Sequence, residues 1–206
     1  MPPSAAPSPR PRGRGRPREF DTDEALDQAV RVFSERGYAG TSIANLSEAT
    51  QLAQGSLYKA FKDKRTLFLA AFDRYRARRM AKLQRSIDAC GTGRERLRAM
   101  LAFYADASQG AMGRTGCLVV GSAVELSLLD QPAAQHVAAA VSRNEALLAD
   151  LIRQGQADGS IAPQVDADTS ARMLLCLTLG MRVVGKTGRT RAQMLAVADA
   201  ALKALA

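Results

Sequence analysis

Between Gly37 and Asp63 the sequence GYAGTSIANLSEATQLAQGSLYKAFKD leaves room for two helices of about two turns each and a tight turn between them. Helices shorter than about 12 residues are marginal in water, so neither can stand unless longer neighbours hold it. The apolar residues are placed for that: Ile43, Leu46 and Ala49 share one face of the first, and Leu52 and Leu57 can point inward from the second. Thr41 is the expected cap of the first, and the second runs from about Ala53 to Lys59.

Two longer segments flank the pair. In TDEALDQAVRVFSER, Asp21 can cap a helix over about 22–36 with Glu24 three residues on, Ala25, Leu26, Ala29, Val30 and Phe33 recur at helical spacing, and Gly37 stops it. After Asp63, the residues Leu67, Phe68, Ala71, Phe72 and Tyr75 form an apolar face at the start of a single arginine-rich helix over about 64–89. Such a helix can complete the small core and also leave it.

Beyond CGTGR the residues become mainly aliphatic. Helices are expected over about 94–108, 117–129, 133–154, 167–184 and 190–205, punctuated by glycines, Pro132 and Pro163. No apolar/polar alternation of period two accompanies them, so the chain reads as all-α with about nine helices. The expected organisation is a basic arm over 1–19, a three-helix unit with a helix-turn-helix over 20–65, and a larger helical domain over 66–206, with the fourth helix linking the two.

Charge divides the chain into two unequal halves. Residues 1–100 carry 20 basic and 11 acidic side chains, residues 101–206 carry 9 of each, and all ten aromatic residues precede residue 105. A positive field confined to the half with the helix-turn-helix points to double-stranded DNA as partner. No uncharged apolar run of about 18 residues suggests a membrane span, and no apolar segment follows the N-terminal arginines as in a secretory signal. The cytoplasm is therefore the expected location. Three scattered cysteines, one histidine and no clustered carboxylates or phosphate-cradling glycine loop give no catalytic site, no metal site and no cofactor to assign.

A recognition helix has to approach a duplex closely. Gly55 removes a side chain that would hold the backbone away, at a helix cost of about 1 kcal/mol, and Ser56 adds little bulk. Gln54, Ser56 and Lys59 are candidates for base edges, with Gln54 able to pair bidentately with adenine. Tyr58, Thr41, Ser42 and Lys64 are candidates for phosphates on either side. In the arm, RGRP over 14–17 resembles the core of the AT-hook, and Arg12, Arg14, Arg16 and Arg18 either enter a minor groove or merely attract the duplex nonspecifically.

The segment GYAGTSIANLSEATQLAQGSLYKAFKDKRTLF, residues 37–68, resembles the DNA-binding domain of the TetR/AcrR family of bacterial regulators, through Gly37, Thr41, Ala49, Gly55, Leu57, Tyr58, Phe61 and Lys64. The resemblance implies a dimeric repressor released by a small ligand, phosphate contacts from Thr41, Tyr58 and Lys64, and groove contacts from 53–59. Where the family commonly has glycine in the turn this chain has Gln51, and a left-handed non-glycine residue costs about 1 kcal/mol or more. Ala53 stands where a capping serine is usual.

The resemblance places an effector among the middle helices, where Met100, Phe103, Tyr104, Cys117 and Val120 would suit an apolar or aromatic molecule, although core packing accounts for them at least as well. Cys117, near a helix start and Arg114, is either a reactive thiol or a packing residue between glycines. For the homodimer, the last two helices are apolar on more than one face; Leu174, Leu177, Met181, Val184, Leu195 and Leu202 either form a four-helix interface or fill the core of one subunit. A nonspecific, architectural DNA-binding protein is the alternative to a specific regulator.

Overall fold

The computed structural model describes residues 21–205; the arm and its four arginine candidates lie outside them. In chain order the helices are α1 (Thr22–Arg36), α2 (Ile43–Thr50), α3 (Gln54–Phe61), α4 (Lys64–Asp88), α5 (Gly93–Ala107), α6 (Gly110–Thr115), α7 (Leu118–Val124), α8 (Gln131–Ala157), α9 (Ala167–Val184) and α10 (Arg191–Lys203), with 3-10 turns at Leu126–Leu128 and Gly185–Thr187. The all-α architecture is as expected.

Local chemistry sets most of the starts. The carboxylates of Asp21, Asp63, Asp130 and Asp166 accept N–H bonds in the first turns of α1, α4, α8 and α9. Thr92 with Glu95 and Thr190 with Gln193 close reciprocal capping boxes on α5 and α10. Each such cap contributes about 1 kcal/mol. The start of α2 corrects the sequence expectation: Ser42, paired with Asn45, is the cap. Thr41 is buried instead, and its hydroxyl donates to the Gly37 carbonyl at 2.6 Å.

Two further departures lie in the middle of the chain. The glycines at 110 and 113 read as a loop, yet α6 forms there because Gly113 packs closely: a Cβ on it would stand 2.8 Å from the Ser108 carbonyl oxygen and 3.1 Å from that of Gly185. The helix expected over 117–129 ends at Val124. There Glu125 turns away, and its carboxylate accepts the amides of Tyr38 and Ala39 at 2.6 and 3.2 Å.

Two cores share α4. Its first half, through Leu67, Phe68, Ala71 and Phe72, packs with Phe33 of α1, Leu46 of α2, Leu57 and Phe61 of α3, and also with Leu118 of α7 and Val137 of α8. Phe68 meets the rings of Phe33 and Tyr38 edge-on at 5.3 and 4.9 Å. Its second half, through Leu83 and Ile87, belongs to a cluster with Leu97, Met100, Leu148, Ile152, Leu174 and Leu202. The packing is therefore continuous across residue 65. Outside the first core, Arg74 bonds Asp23 and Asp27 at 2.9 and 2.7 Å, and Arg78 also reaches Asp27, so α1 is tied to α4 by charge as well.

Gln51, between α2 and α3, takes left-handed geometry with φ 57° and ψ 27°, and its N–H bonds the carbonyls of Glu48 and Ser47. The tight turn is thus kept with a glutamine in place. Replacing Gln51 with glycine removes that strain, and Q51G is expected to raise the unfolding free energy by up to about 1 kcal/mol in a urea titration. A second expectation follows from Asp27, whose carboxyl is held below its ordinary 3.8 chiefly by the hydrogen bond from Arg74, against burial, with the charges of Arg74 and Arg78 adding. A lowered folded pKa gives stability that is present above about pH 3.8 and lost as pH falls through the folded value. D27N should therefore melt below the wild type at pH 6, with the gap closing on acidification.

Candidate functional site

The exposed side of α3 presents Gln54, Gly55, Tyr58 and Lys59, with Lys62 just beyond, while Leu57 and Phe61 are buried beneath and Ser56 is half-buried. No heavy atom lies within 4 Å of where a Cβ on Gly55 would stand. Nothing inside the protein requires glycine there. The helix bears its propensity cost without an internal return, as expected of a surface made for close approach by another body. Tyr58 is 48% exposed, and α3 has no side-chain cap, because Ala53 supplies none.

Lys64 and Thr41 are differently placed from what the resemblance implied. The Lys64 ammonium donates to the carbonyls of Tyr38 and Thr41, both at 3.0 Å, and lies 4.3 Å from the centroid of the Tyr38 ring. With the Thr41 hydroxyl buried as well, both side chains are spent on the α1–α2 connection and shape the head from within. Glu125, which the sequence did not single out, grips the same connection from the other side. A carboxylate there leaves no room on Gly37, where a Cβ would stand 2.1 Å from its oxygen. Ser42 remains exposed, with its hydroxyl engaged by Asn45.

A second site opens between α4, α5 and α7. An inner recess of about 30 Å³ is walled by Tyr75, Arg76 and Arg79 of α4, Phe103 and Tyr104 of α5, Cys117, Val119 and Val120 around the start of α7, and Asn144 of α8. An outer cavity of about 330 Å³ shares Tyr75, Arg79 and Phe103 and reaches Val30 of α1 and Met112 of α6. Phe103, Tyr104, Cys117 and Val120 are thus brought together as expected. Met100 is not: it is fully buried in the second core, one turn below Phe103 and Tyr104. The α4 residues were missed, although Tyr75 and Arg79 lie four apart on a helix and hence on one face.

The electrostatics of this wall are unusual. The Arg79 guanidinium lies 4.6 Å from the Phe103 ring centroid and 5.7 Å from those of Tyr75 and Tyr104. Burial pushes the phenols of Tyr75 and Tyr104 up. At Cys117 burial also pushes the thiol up, but the Arg79 charge, a hydrogen bond from the Tyr75 hydroxyl at 3.4 Å and the Arg182 charge outweigh it and leave the thiol below its ordinary value. The cation beside Cys117 is therefore Arg79, which the sequence distance concealed; Arg114 was the expected one.

On α9 and α10, Leu174, Met181 and Leu202 are buried within their own subunit, and Leu177 and Leu195 are half-buried. The helical period turns the first three inward, so they cannot supply an outer surface. Of the six residues expected at the interface, Val184 is exposed, and so are Met173, Cys176, Val183 and Val197, which the sequence did not single out for the interface. Among the described residues no helix is long and apolar enough to cross a membrane, and no group of three or more His, Cys, Asp or Glu is placed to hold a metal ion.

Residues 25–71 match the family described as bacterial regulatory proteins, tetR family, and residues 93–201 match the tetracyclin repressor-like C-terminal domain. The chain is 31% identical over 185 residues, 89% of its length and 88% of the relative's, to the HTH-type transcriptional repressor ComR of Escherichia coli strain K12. Among solved structures, a cysteine mutant of the TetR family transcriptional regulator CifR complexed with 26-bp double-strand operator DNA superposes with a TM-score of 0.82 at 32% identity, over 93% of this chain and 100% of that one. The fold is shared with FadR of Bacillus subtilis in complex with stearoyl-CoA, at a TM-score of 0.69 and 17% identity, over 88% and 96% of the two chains.

The Glu125 contact yields a direct check. E125A removes an anionic acceptor from two amides and is expected to lower the unfolding free energy by about 1–2 kcal/mol, with E125Q retaining part. Urea unfolding of the three proteins measures it, and equal midpoints would show that the contact holds nothing.

Proposed function

Because the chain belongs to the TetR family of bacterial regulatory proteins, we propose that it is a dimeric repressor whose α3 enters the major groove of an operator and which a small molecule in the α4–α5–α7 cavity releases. The empty space around Gly55 on the exposed side of α3 is the observation that carries the DNA reading. Gln54 and Lys59 flank it and reach base edges; Tyr58 and the exposed amides at the α3 start take phosphates. The arm's arginines, Arg12, Arg14, Arg16 and Arg18, extend the contact. Thr41 and Lys64 act by holding the α1–α2 connection on which α3 is oriented. A sequence-specific reader is favoured over an architectural binder because the groove-facing helix carries a distinct amide, hydroxyl and ammonium, where a backbone binder needs only positive charge.

Two such heads have to be set one or more helical turns apart on a palindrome. The exposed apolar side of α9 and α10, around Met173, Val183, Val184 and Val197 with half-buried Leu177 and Leu195, is the surface assigned to the partner subunit. Regulation runs along two routes from the cavity to the head. One is α4, whose Tyr75 and Arg79 wall the cavity and whose Phe68 centres the head's core. The other is α7, whose beginning carries Cys117, Val119 and Val120 on the cavity wall and whose end is followed by Glu125 on the Tyr38–Ala39 amides. An effector that binds the DNA-competent arrangement less well than the alternative shifts the population off the operator.

A second reading of the effector comes from Cys117: a thiol below its ordinary pKa on a cavity wall is poised for thiol-reactive molecules. Treatment with a quinone that leaves DNA affinity unchanged and Cys117 intact by mass would exclude it.

The DNA reading is tested on operator fragments isolated by genomic footprinting. K62A, which removes the exposed cation just beyond α3, is expected to weaken binding to all duplexes and to lower the magnitude of the log–log salt slope by about 1. Q54A should instead change the preference among operator variants, at about 1–3 kcal/mol for the affected base pair. Unchanged slope and unchanged preference, in proteins that melt like the wild type, would refute the placement of α3.

A further inference from the structure

The cavity is lined with aromatic rings, yet its most distinctive group is a cation without a counter-ion among the described residues. Arg79 stands where the inner recess and the outer cavity meet, beneath the Phe103 ring, and its Nη2 is buried without a hydrogen-bond partner. Arg76 lies beside it on the same wall, and no carboxylate lines the recess. The two carboxylates of the outer cavity are engaged elsewhere: Asp27 by Arg74 and Arg78, and Asp106 by Arg191 at 2.6 Å. Arg182, 2% exposed and giving Nη2 to the Gly116 carbonyl at 2.6 Å, leaves its Nε and Nη1 without partners and adds positive charge behind Cys117.

A half-buried guanidinium whose Nη2 is shut off from water with an unused N–H is costly to leave unpaired, and a planar oxyanion is the group it matches best. Resting on the reading of this cavity as the effector site, we propose that the effector is an anion, a flat apolar or aromatic body carrying one carboxylate or sulfonate, with the charged end on Arg79 and the apolar body in the outer cavity against Tyr75, Phe103, Val30 and Met112. The expected apolar or aromatic ligand is thereby given a sign of charge. The cavity repels organic cations and has little to offer a neutral molecule beyond its rings. Filling the unused valence of Arg79 draws α4 and α5 onto the ligand, at the point on α4 from which the reading head is held.

Two fluorescent probes of one skeleton test it: 8-anilinonaphthalene-1-sulfonate, and N-phenyl-1-naphthylamine, which lacks the sulfonate. The wild-type protein is expected to prefer the sulfonate by about tenfold or more. R79M should abolish that preference by weakening the sulfonate alone, and R79K, which keeps the charge and loses the planar fork, should keep part of it. Equal affinity of the wild type for both probes, a preference that survives R79M, or saturable binding of neither probe each overturns the proposal. DNA affinity and its salt slope, measured on the same preparations without probe, report on the reading head independently. Intact DNA binding beside a failed probe result therefore removes the anion alone, whereas loss of both removes the regulator reading.

Discussion

Two helices of eight residues cannot hold themselves together in water, and everything the N-terminal half presents to the outside depends on that constraint. Leu46, Leu57 and Phe61 are the apolar residues that α2 and α3 bury fully, with Ile43 and Ala49 partly buried beside them, and they pack in one core with Phe33, Phe68 and Phe72. Phe68 and Phe72 belong to a helix that continues for four further turns into the other core. The orientation of α3 is therefore decided outside the helix-turn-helix itself, by the position of α4 and by whatever α4 touches.

This dependence makes a regulator out of two packing units. The connection between α1 and α2 is held by three polar grips: the Lys64 ammonium on the carbonyls of Tyr38 and Thr41, the Thr41 hydroxyl on the Gly37 carbonyl, and the Glu125 carboxylate on the amides of Tyr38 and Ala39. Lys64 begins α4 and Glu125 follows α7. Both helices also wall the cavity, so a displacement there reaches the head through close-packed side chains and charged hydrogen bonds, with no flexible linker to absorb it.

Charge serves different ends along the chain. On the head, Lys59 and Lys62 are exposed, while Lys64 is half-buried and tied to the carbonyls of Tyr38 and Thr41. Along α4, Arg74 and Arg78 are committed to α1 through Asp27, yet Arg79, a single residue on, faces the cavity beneath three aromatic rings. Successive helical residues differ by about 100° in direction, and that rotation turns Arg79 under the rings while Arg78 reaches Asp27.

The sequence by itself determined the all-α class, the four flanking and short helices of the N-terminal half, and the exposed set Gln54, Gly55, Tyr58 and Lys59, because capping, apolar period and glycine placement act within a few residues; the grouping of Phe103, Tyr104, Cys117 and Val120 was implied only by the family resemblance. It left open whether Leu174, Met181 and Leu202 face a partner or their own core, since a helix apolar all round gives no sign of which side is covered first. Only the tertiary structure turned those three inward, moved Met100 off the cavity wall, enclosed Thr41 and Lys64, and brought Arg79 and Glu125 to their places. Arg79 is 38 positions from Cys117, and Glu125 is 87 from Tyr38. Charge and hydrogen bonding across such separations depend on how helices cross, and no local pattern in the chain encodes that crossing.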